Sequence, residues 1–222
     1  MTTSKVFAIG FNKSATTSLH TLFQSLGFSS YHGGEWRDCK DINLLNNYDC
    51  FSDGYPKNHD KLDALFPKSK FILQVRDLQS WVYSRLAHIR RVKTLGIYKG
   101  SDIWDETEPA VKFWIQQRND YHLEVMSYFE NRPEDFLIVN LTKDQSSAKR
   151  ITNFLGFIGN YKTPYTNVNP SKEIPKKDRD LLAHCLSALN IPEHEQTHDI
   201  YCPSLVNSLF PPDSDMLLSA VG

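Results

Sequence analysis

The chain has 222 residues, 40% hydrophobic and 23% charged, with a formal net charge of −1. This length and composition allow a full apolar core and exclude a disulfide-stapled miniprotein or a low-complexity chain; the near-neutral charge excludes a global basic field, so any anion site is local and no nucleic-acid partner is expected. Cys39, Cys50, Cys185 and Cys202 form no C-x-x-C pair and read as reduced thiols of a cytoplasmic protein; no stretch approaches the roughly 18 apolar residues of a membrane span, and no signal-peptide core is seen, so neither a span nor export is expected.

Strand and helix patterns alternate along the chain. Lys5–Gly10 is an apolar run ending in glycine and predicts the first strand. Thr17–Leu26 carries Leu19, Leu22, Phe23 and Leu26 at helical spacing, with Gly27 as its stop. Phe28–Tyr31 predicts a second strand, Asp41–Asn46 a helix, and Asp49–Ser52 a third strand ending at Asp53-Gly54-Tyr55-Pro56. His59–Phe66 is a helix closed by Pro67, Lys70–Val75 the fourth strand, and Leu78–Arg91 a helix with Asp77 as N-cap. Thr94–Ile103 has no clear period. Trp104–Glu130 predicts a long helix broken at Pro109, Phe136–Asn140 a fifth strand, Ser146–Leu155 a helix, Tyr161–Pro175 a loop and Lys176–Leu189 the last helix. The alternation predicts an α/β fold, a three-layer sandwich with a central parallel five-stranded sheet. One domain over 1–222 is expected, with 93–131 as a helical lid or acceptor-binding insert and 203–222 as a tail.

The loop after the first strand carries the strongest functional signal. Small residues between a strand and a helix let backbone N–H groups turn inward, and the helix N-terminus adds partial positive charge, which together make a phosphate seat. The ATP-type motif G-x-x-x-x-G-K-[ST], counted from Gly10, puts Ala15 at the second glycine and Thr16 at the lysine. The only loop lysine, Lys13, comes three residues early. The loop is therefore suited to a phosphate group without matching a nucleoside triphosphate site. Three polar clusters stand at strand ends, where ligands bind in such sheets: Lys13–Ser18, Asp53–Pro56 and Arg76-Asp77. Arg76 and Ser84, eight residues apart, can hold a second phosphate by guanidinium fork and hydroxyl.

Lys13-Ser-Ala-Thr-Thr17, together with Arg76 and Ser84, resembles the family of sulfotransferases that use 3′-phosphoadenosine 5′-phosphosulfate (PAPS). That family carries K-[ST]-G-T-[TS] after its first strand and an arginine and serine at this spacing. The resemblance covers residues 5 to 90 and is weak beyond them. It implies a P-loop NTPase-like architecture and sulfuryl transfer from PAPS to a hydroxyl or amine of a small-molecule or glycan acceptor. 3′,5′-bisphosphoadenosine (PAP) is the implied product, and no metal is needed because no γ-phosphate moves. Asn12, Lys13, Ser14, Ala15, Thr16, Thr17 and Ser18 would surround the 5′-phosphosulfate, and Arg76 and Ser84 the 3′-phosphate. Asn169 and Lys172, in Asn167-Val-Asn-Pro-Ser-Lys172, would close over the nucleotide. Lys13 would stabilise the charge on the leaving phosphate. Asp53 would be the general base, with His59, His20 and His32 as other options.

Ala15 departs from the family's glycine, and an ordinary backbone angle with phosphosulfate binding retained is the expectation there. Plainer readings stand beside these: Arg76-Asp77 as a structural ion pair, and Asp53 before Gly54 as a turn residue. Two other functions remain open, a P-loop small-molecule or nucleotide kinase and a non-catalytic nucleotide-binding module. His194-Glu-Gln-Thr-His198 matches the zinc-protease motif H-E-x-x-H, but Pro192 and Pro203 leave little room for a long helix, and no Glu or His follows as third ligand.

Overall fold

Val6 and Ala8 point to one face of the first strand and Phe7 to the other, and all three are buried, as a central parallel strand requires. The computed structural model describes residues 4–97, 104–159, 161, 162, 164 and 173–209. Five strands form one all-parallel sheet: β1 (Val6–Ala8), β2 (Ser30–His32), β3 (Cys50–Ser52), β4 (Lys70–Gln74) and β5 (Phe136–Val139), in the order β2-β3-β1-β4-β5. Val6 stands opposite Cys50 on one side and Lys70 on the other; His32 pairs with Ser52, and Gln74 with Val139. The chain leaves β1 toward one edge of the sheet and leaves β3 toward the other. Its direction therefore switches beside the carboxyl end of β1, the position at which parallel sheets receive ligands.

The helices are α1 (Thr16–Ser25), α2 (Ile42–Asn47), α3 (His59–Leu65), α4 (Leu78–Thr94), α5 (Glu108–Tyr128), α6 (Ser147–Phe154), α7 (Lys176–Ala188) and α8 (Pro203–Leu209). Short 3-10 helices cover Glu35–Asp38 and Glu193–Thr197. The described residues form two compact units, one within 1–76 and 124–172, the other within 77–123 and 173–222.

The first unit is layered about the sheet. Leu19, Leu22 and Phe23 of α1 and Ala148 and Ile151 of α6 pack on Val6, Ala8, Cys50, Ile72 and Val139. The opposite face is aromatic. Phe7 lies 5.3 and 5.4 Å from Phe51 and Phe71, ring centre to ring centre, and Trp36 and Phe66 close over it at 5.9 and 6.0 Å. Such offset contacts add about 0.5–1.5 kcal/mol per pair to the burial of apolar area.

In the second unit, α4 buries Trp81 and Arg85 on its inner face. The Arg85 guanidinium lies 4.8, 4.3 and 4.5 Å from the rings of Trp81, Trp104 and Trp114, a cation–π cluster that helps to stabilise a buried charge. The Asp77 carboxylate accepts the Ser80 N–H at 2.9 Å and caps α4, as predicted. Side chains of α5 hold the segment 198–202: Arg118 donates to the carbonyls of His198 and Asp199 at 2.9 and 2.6 Å, and Asn119 accepts the Cys202 N–H at 2.6 Å.

Several boundaries differ from expectation. The Phe28 N–H bonds back to the Phe23 carbonyl at 3.1 Å, so Phe28 belongs to the closing turn of α1 and β2 begins at Ser30. The long helix is not broken at Pro109. It starts at Glu108 and runs through Tyr128, with Pro109 in the first turn, where a missing N–H costs nothing. The tail begins as α8, which sequence patterning did not separate from the residues after it. Part of the 93–131 segment, residues 98–103, lies outside the described residues.

His122 sits wholly inside the second unit with Nδ1 against the Ile200 carbonyl, and burial, reinforced by Arg118, pushes its imidazole pKa down to about 3. The unfolded chain takes up this proton near pH 6.5 and the folded chain does not. Stability contributed by neutral His122 is thus lost as pH falls from 6.5 toward 3, at up to about 1.4 kcal/mol per pH unit. Urea unfolding between pH 7.5 and 5 is expected to show a shallower loss in His122→Gln than in the parent chain.

Candidate functional site

Gly10 leaves β1 at a point of close backbone approach. A Cβ there would stand 2.0 Å from the Gln74 carbonyl oxygen, so only glycine fits. The Gln74 side chain completes the junction: its Oε1 accepts the Gly10 N–H at 2.9 Å and its Nε2 donates to the Gly10 carbonyl at 3.0 Å. Both groups are buried, so each would cost about 1–3 kcal/mol if left without a partner. This reciprocal amide pair sets the direction in which the following loop departs.

Lys13 and Ala15 then take left-handed backbone angles, φ +69° and +68°. The expectation of an ordinary angle at Ala15 is corrected here. Alanine holds the conformation that glycine would adopt more readily, at a cost of about 1–2 kcal/mol. Left-handed residues separated by one position turn successive N–H groups toward one side and form an anion-binding concavity. Ala15 is also the N-cap of α1 and supplies no side-chain hydrogen bond to it. The first-turn N–H groups of an α-helix find no acceptor within the helix, and the positive end of the helix dipole lies at this loop. The Ser14 hydroxyl donates to the Phe11 carbonyl, and the Phe11 ring meets Tyr55 at 4.3 Å. Thr16 and Ser18 are buried; Asn12, Lys13, Ala15 and Thr17 are half-buried.

Arg76 follows β4 and reaches this loop, its Nη1 donating to the Lys13 carbonyl at 3.2 Å. The first and fourth strand ends, read separately in the sequence, therefore meet at one place.

The third strand end lies on the other side of β1. Ser52 ends β3; Asp53 has φ +90° and Gly54 φ +101°. His32, at the end of β2, joins this edge to the loop. Its Nδ1 is 3.0 Å from Ser52 Oγ and its Nε2 3.4 Å from Thr17 Oγ1. His20, on α1, stacks on His32 at 5.2 Å and pairs with Ser30 Oγ at 2.8 Å; burial, with the charge of His32 adding, lowers its pKa. His59 faces elsewhere. It is buried edge-on against Tyr128 at 4.8 Å, in the aromatic layer.

Ser84 is on α4 in the second unit, half-buried. Asn169 and Lys172 lie outside the described residues. Two site residues carry roles that the sequence reading does not name. Gln74 has a signal, a polar residue inside the apolar strand Phe71-Ile-Leu-Gln-Val75, and Ser52 has none. The zinc-protease match falls on the 3-10 helix Glu193–Thr197 and its C-cap His198 rather than on an α-helix, with the His194 and His198 rings edge-on at 6.1 Å. Its Glu195 is buried and accepts the Ser204 N–H and hydroxyl, the latter at 2.6 Å.

No protein-family model matches the chain, and no curated protein matches it. Among the described residues no helix is long and apolar enough to cross a membrane.

Relief of the left-handed strain is expected to make Ala15→Gly more stable by up to about 1 kcal/mol, whereas Ala15→Val, β-branched in the same conformation, should lose more than that. Thermal or urea unfolding of the two variants checks the order.

Proposed function

We propose that the chain is a cytoplasmic PAPS-dependent sulfotransferase on a P-loop NTPase-like scaffold, moving a sulfuryl group to a hydroxyl or amine of a small-molecule or glycan acceptor. The observation that carries this reading is the hydrogen bond from Arg76 to the Lys13 carbonyl. It sets a guanidinium against a loop whose backbone twice turns left-handed before an uncapped helix. That donor set, backbone N–H groups with hydroxyls and cations, fits an oxyanion-bearing nucleotide.

PAPS, when bound, supplies the activated sulfuryl group. Lys13 then neutralises charge on the departing phosphate, with N–H groups from Ser14 to Ser18 sharing it. Thr16 and Thr17 offer hydroxyls to the same oxygens. Arg76, its Nη1 on the Lys13 carbonyl, orients the nucleotide through its 3′-phosphate. Asp53, following β3, takes the proton from the acceptor. His32 is the second group at this edge able to do so: Ser52 holds Nδ1, and Nε2 would take the proton in place of its long 3.4 Å contact to Thr17.

Thermal-shift titration with PAP, set against ATP with magnesium, tests the reading. PAP at 100 times its dissociation constant should add about 2.7 kcal/mol of stability, and ATP–magnesium should add far less. Lys13→Ala and Arg76→Ala should each weaken the PAP response about tenfold or more. A response to ATP–magnesium alone would favour the kinase and overturn the proposal. Turnover of labelled PAPS over an acceptor panel separates an enzyme from an inert binder. Asp53→Asn should slow it by about 10²–10⁴, and full retained activity would move the base role to His32.

A further inference from the structure

Arg37 lies in the 3-10 helix after β2, and its head group is fixed rather than free to wander. Nε donates to the Gly34 carbonyl at 2.8 Å. The guanidinium lies against two glycine backbones from different strand ends. A Cβ on Gly34 would stand 1.9 Å from Nη2, and one on Gly54 would stand 2.7 Å from Nη1. Both positions must lack a side chain for the fork to rest where it does.

The acids beside Arg37 make their hydrogen bond and ion pair to other groups. The Glu35 carboxylate accepts the Tyr31 hydroxyl at 2.6 Å and feels the Arg37 charge without a hydrogen bond to it, and the Asp38 carboxylate is 3.0 Å from the Lys40 ammonium. Among the described residues, Nη1 and Nη2 make no hydrogen bond or ion pair. The side chain is half-buried, so a fixed cation with two unused donors faces the carboxyl edge of the sheet. Gly54, against which Nη1 rests, directly follows Asp53 and precedes Tyr55, whose ring meets Phe11 at the start of the phosphate-seat loop.

We propose that Arg37 recognises an oxyanion, a carboxylate or a sulfate monoester, on the acceptor, and so that the acceptor carries a negative charge close to the group that reacts at Asp53. A planar fork with two parallel N–H donors matches such an anion better than a neutral alcohol or amine. With the whole chain near neutrality, the selectivity comes from this local charge rather than from a general field. The assignment of the anion to an acceptor rests on the sulfuryl-transfer reading; the anion site itself does not.

The test titrates the full chain with three probes, 4-hydroxyphenylacetate, its methyl ester and phenyl sulfate, followed by backbone amide NMR shifts. The PAP thermal response is measured in parallel. At least one anion should bind saturably and the ester should not; whichever anion binds more tightly names the source of the charge. Arg37→Gln should weaken anion binding about tenfold. Gly34→Ala is the second variant. Its φ of −95° accommodates alanine, and the new methyl displaces Nη2 without removing the charge, so a comparable loss is expected even if Arg37→Gln folds poorly. Both variants should keep the PAP response. Equal binding of ester and acid, unchanged anion binding in either folded variant, or no saturable anion binding by the parent chain would each overturn the proposal. Anion binding without a PAP response would leave the Arg37 site standing and remove the sulfotransferase reading.

Discussion

The two hydrogen bonds exchanged between Gly10 and the Gln74 side chain govern the geometry of the whole candidate site. They join β1 to β4 just past the last residue of β1, where the backbones approach too closely for any Cβ at position 10. Without them a buried N–H and a buried carbonyl would stand unpaired at the mouth of the loop. With them the chain leaves the sheet in one direction, and the left-handed turns at Lys13 and Ala15 follow from a fixed starting point. Arg76, two residues beyond Gln74, comes to the loop because β4 is held in register at that level.

The opposite side of β1 is organised by pairing rather than by backbone approach. His32 and Ser52 are register partners on β2 and β3, which brings imidazole and hydroxyl within 3.0 Å. Ser52 also offers its carbonyl to the buried Trp36 indole at 3.1 Å, tying this edge to the aromatic layer below Phe7. Trp36 thereby anchors the 3-10 helix that carries Arg37. A core tryptophan and a half-buried cation one residue apart are positioned by the same short element, with the Trp36 side burying area and the Arg37 side offering donors.

Much of the sheet could be read from periodicity. Each of the five strands lies within or beside a predicted apolar run, and α1, α4 and α6 carry their buried residues at the expected spacing. The failures share a cause. A proline interior to a helix is disruptive, so Pro109 predicts a break, yet the same residue in a first turn is favourable, and only the position of the helix start distinguishes the two. Phe28 looked like a strand residue because an aromatic after glycine fits a β pattern, but its N–H is taken by the helix it follows.

Local chemistry acts over a few residues, so the sequence alone determined the alternation of strands and helices, the Asp77 cap and the strand–loop–helix that opens the chain. The conformation of Ala15, the pairing of Gln74 with Gly10 and the rest of Arg37 against Gly34 and Gly54 were decided only by the tertiary structure. The Gly10–Gln74 pairing and the contact of Arg37 with Gly54 depend on where segments apart in the chain come to lie, with Gly10 and Gln74 set 64 positions apart, and no short window of sequence holds both partners.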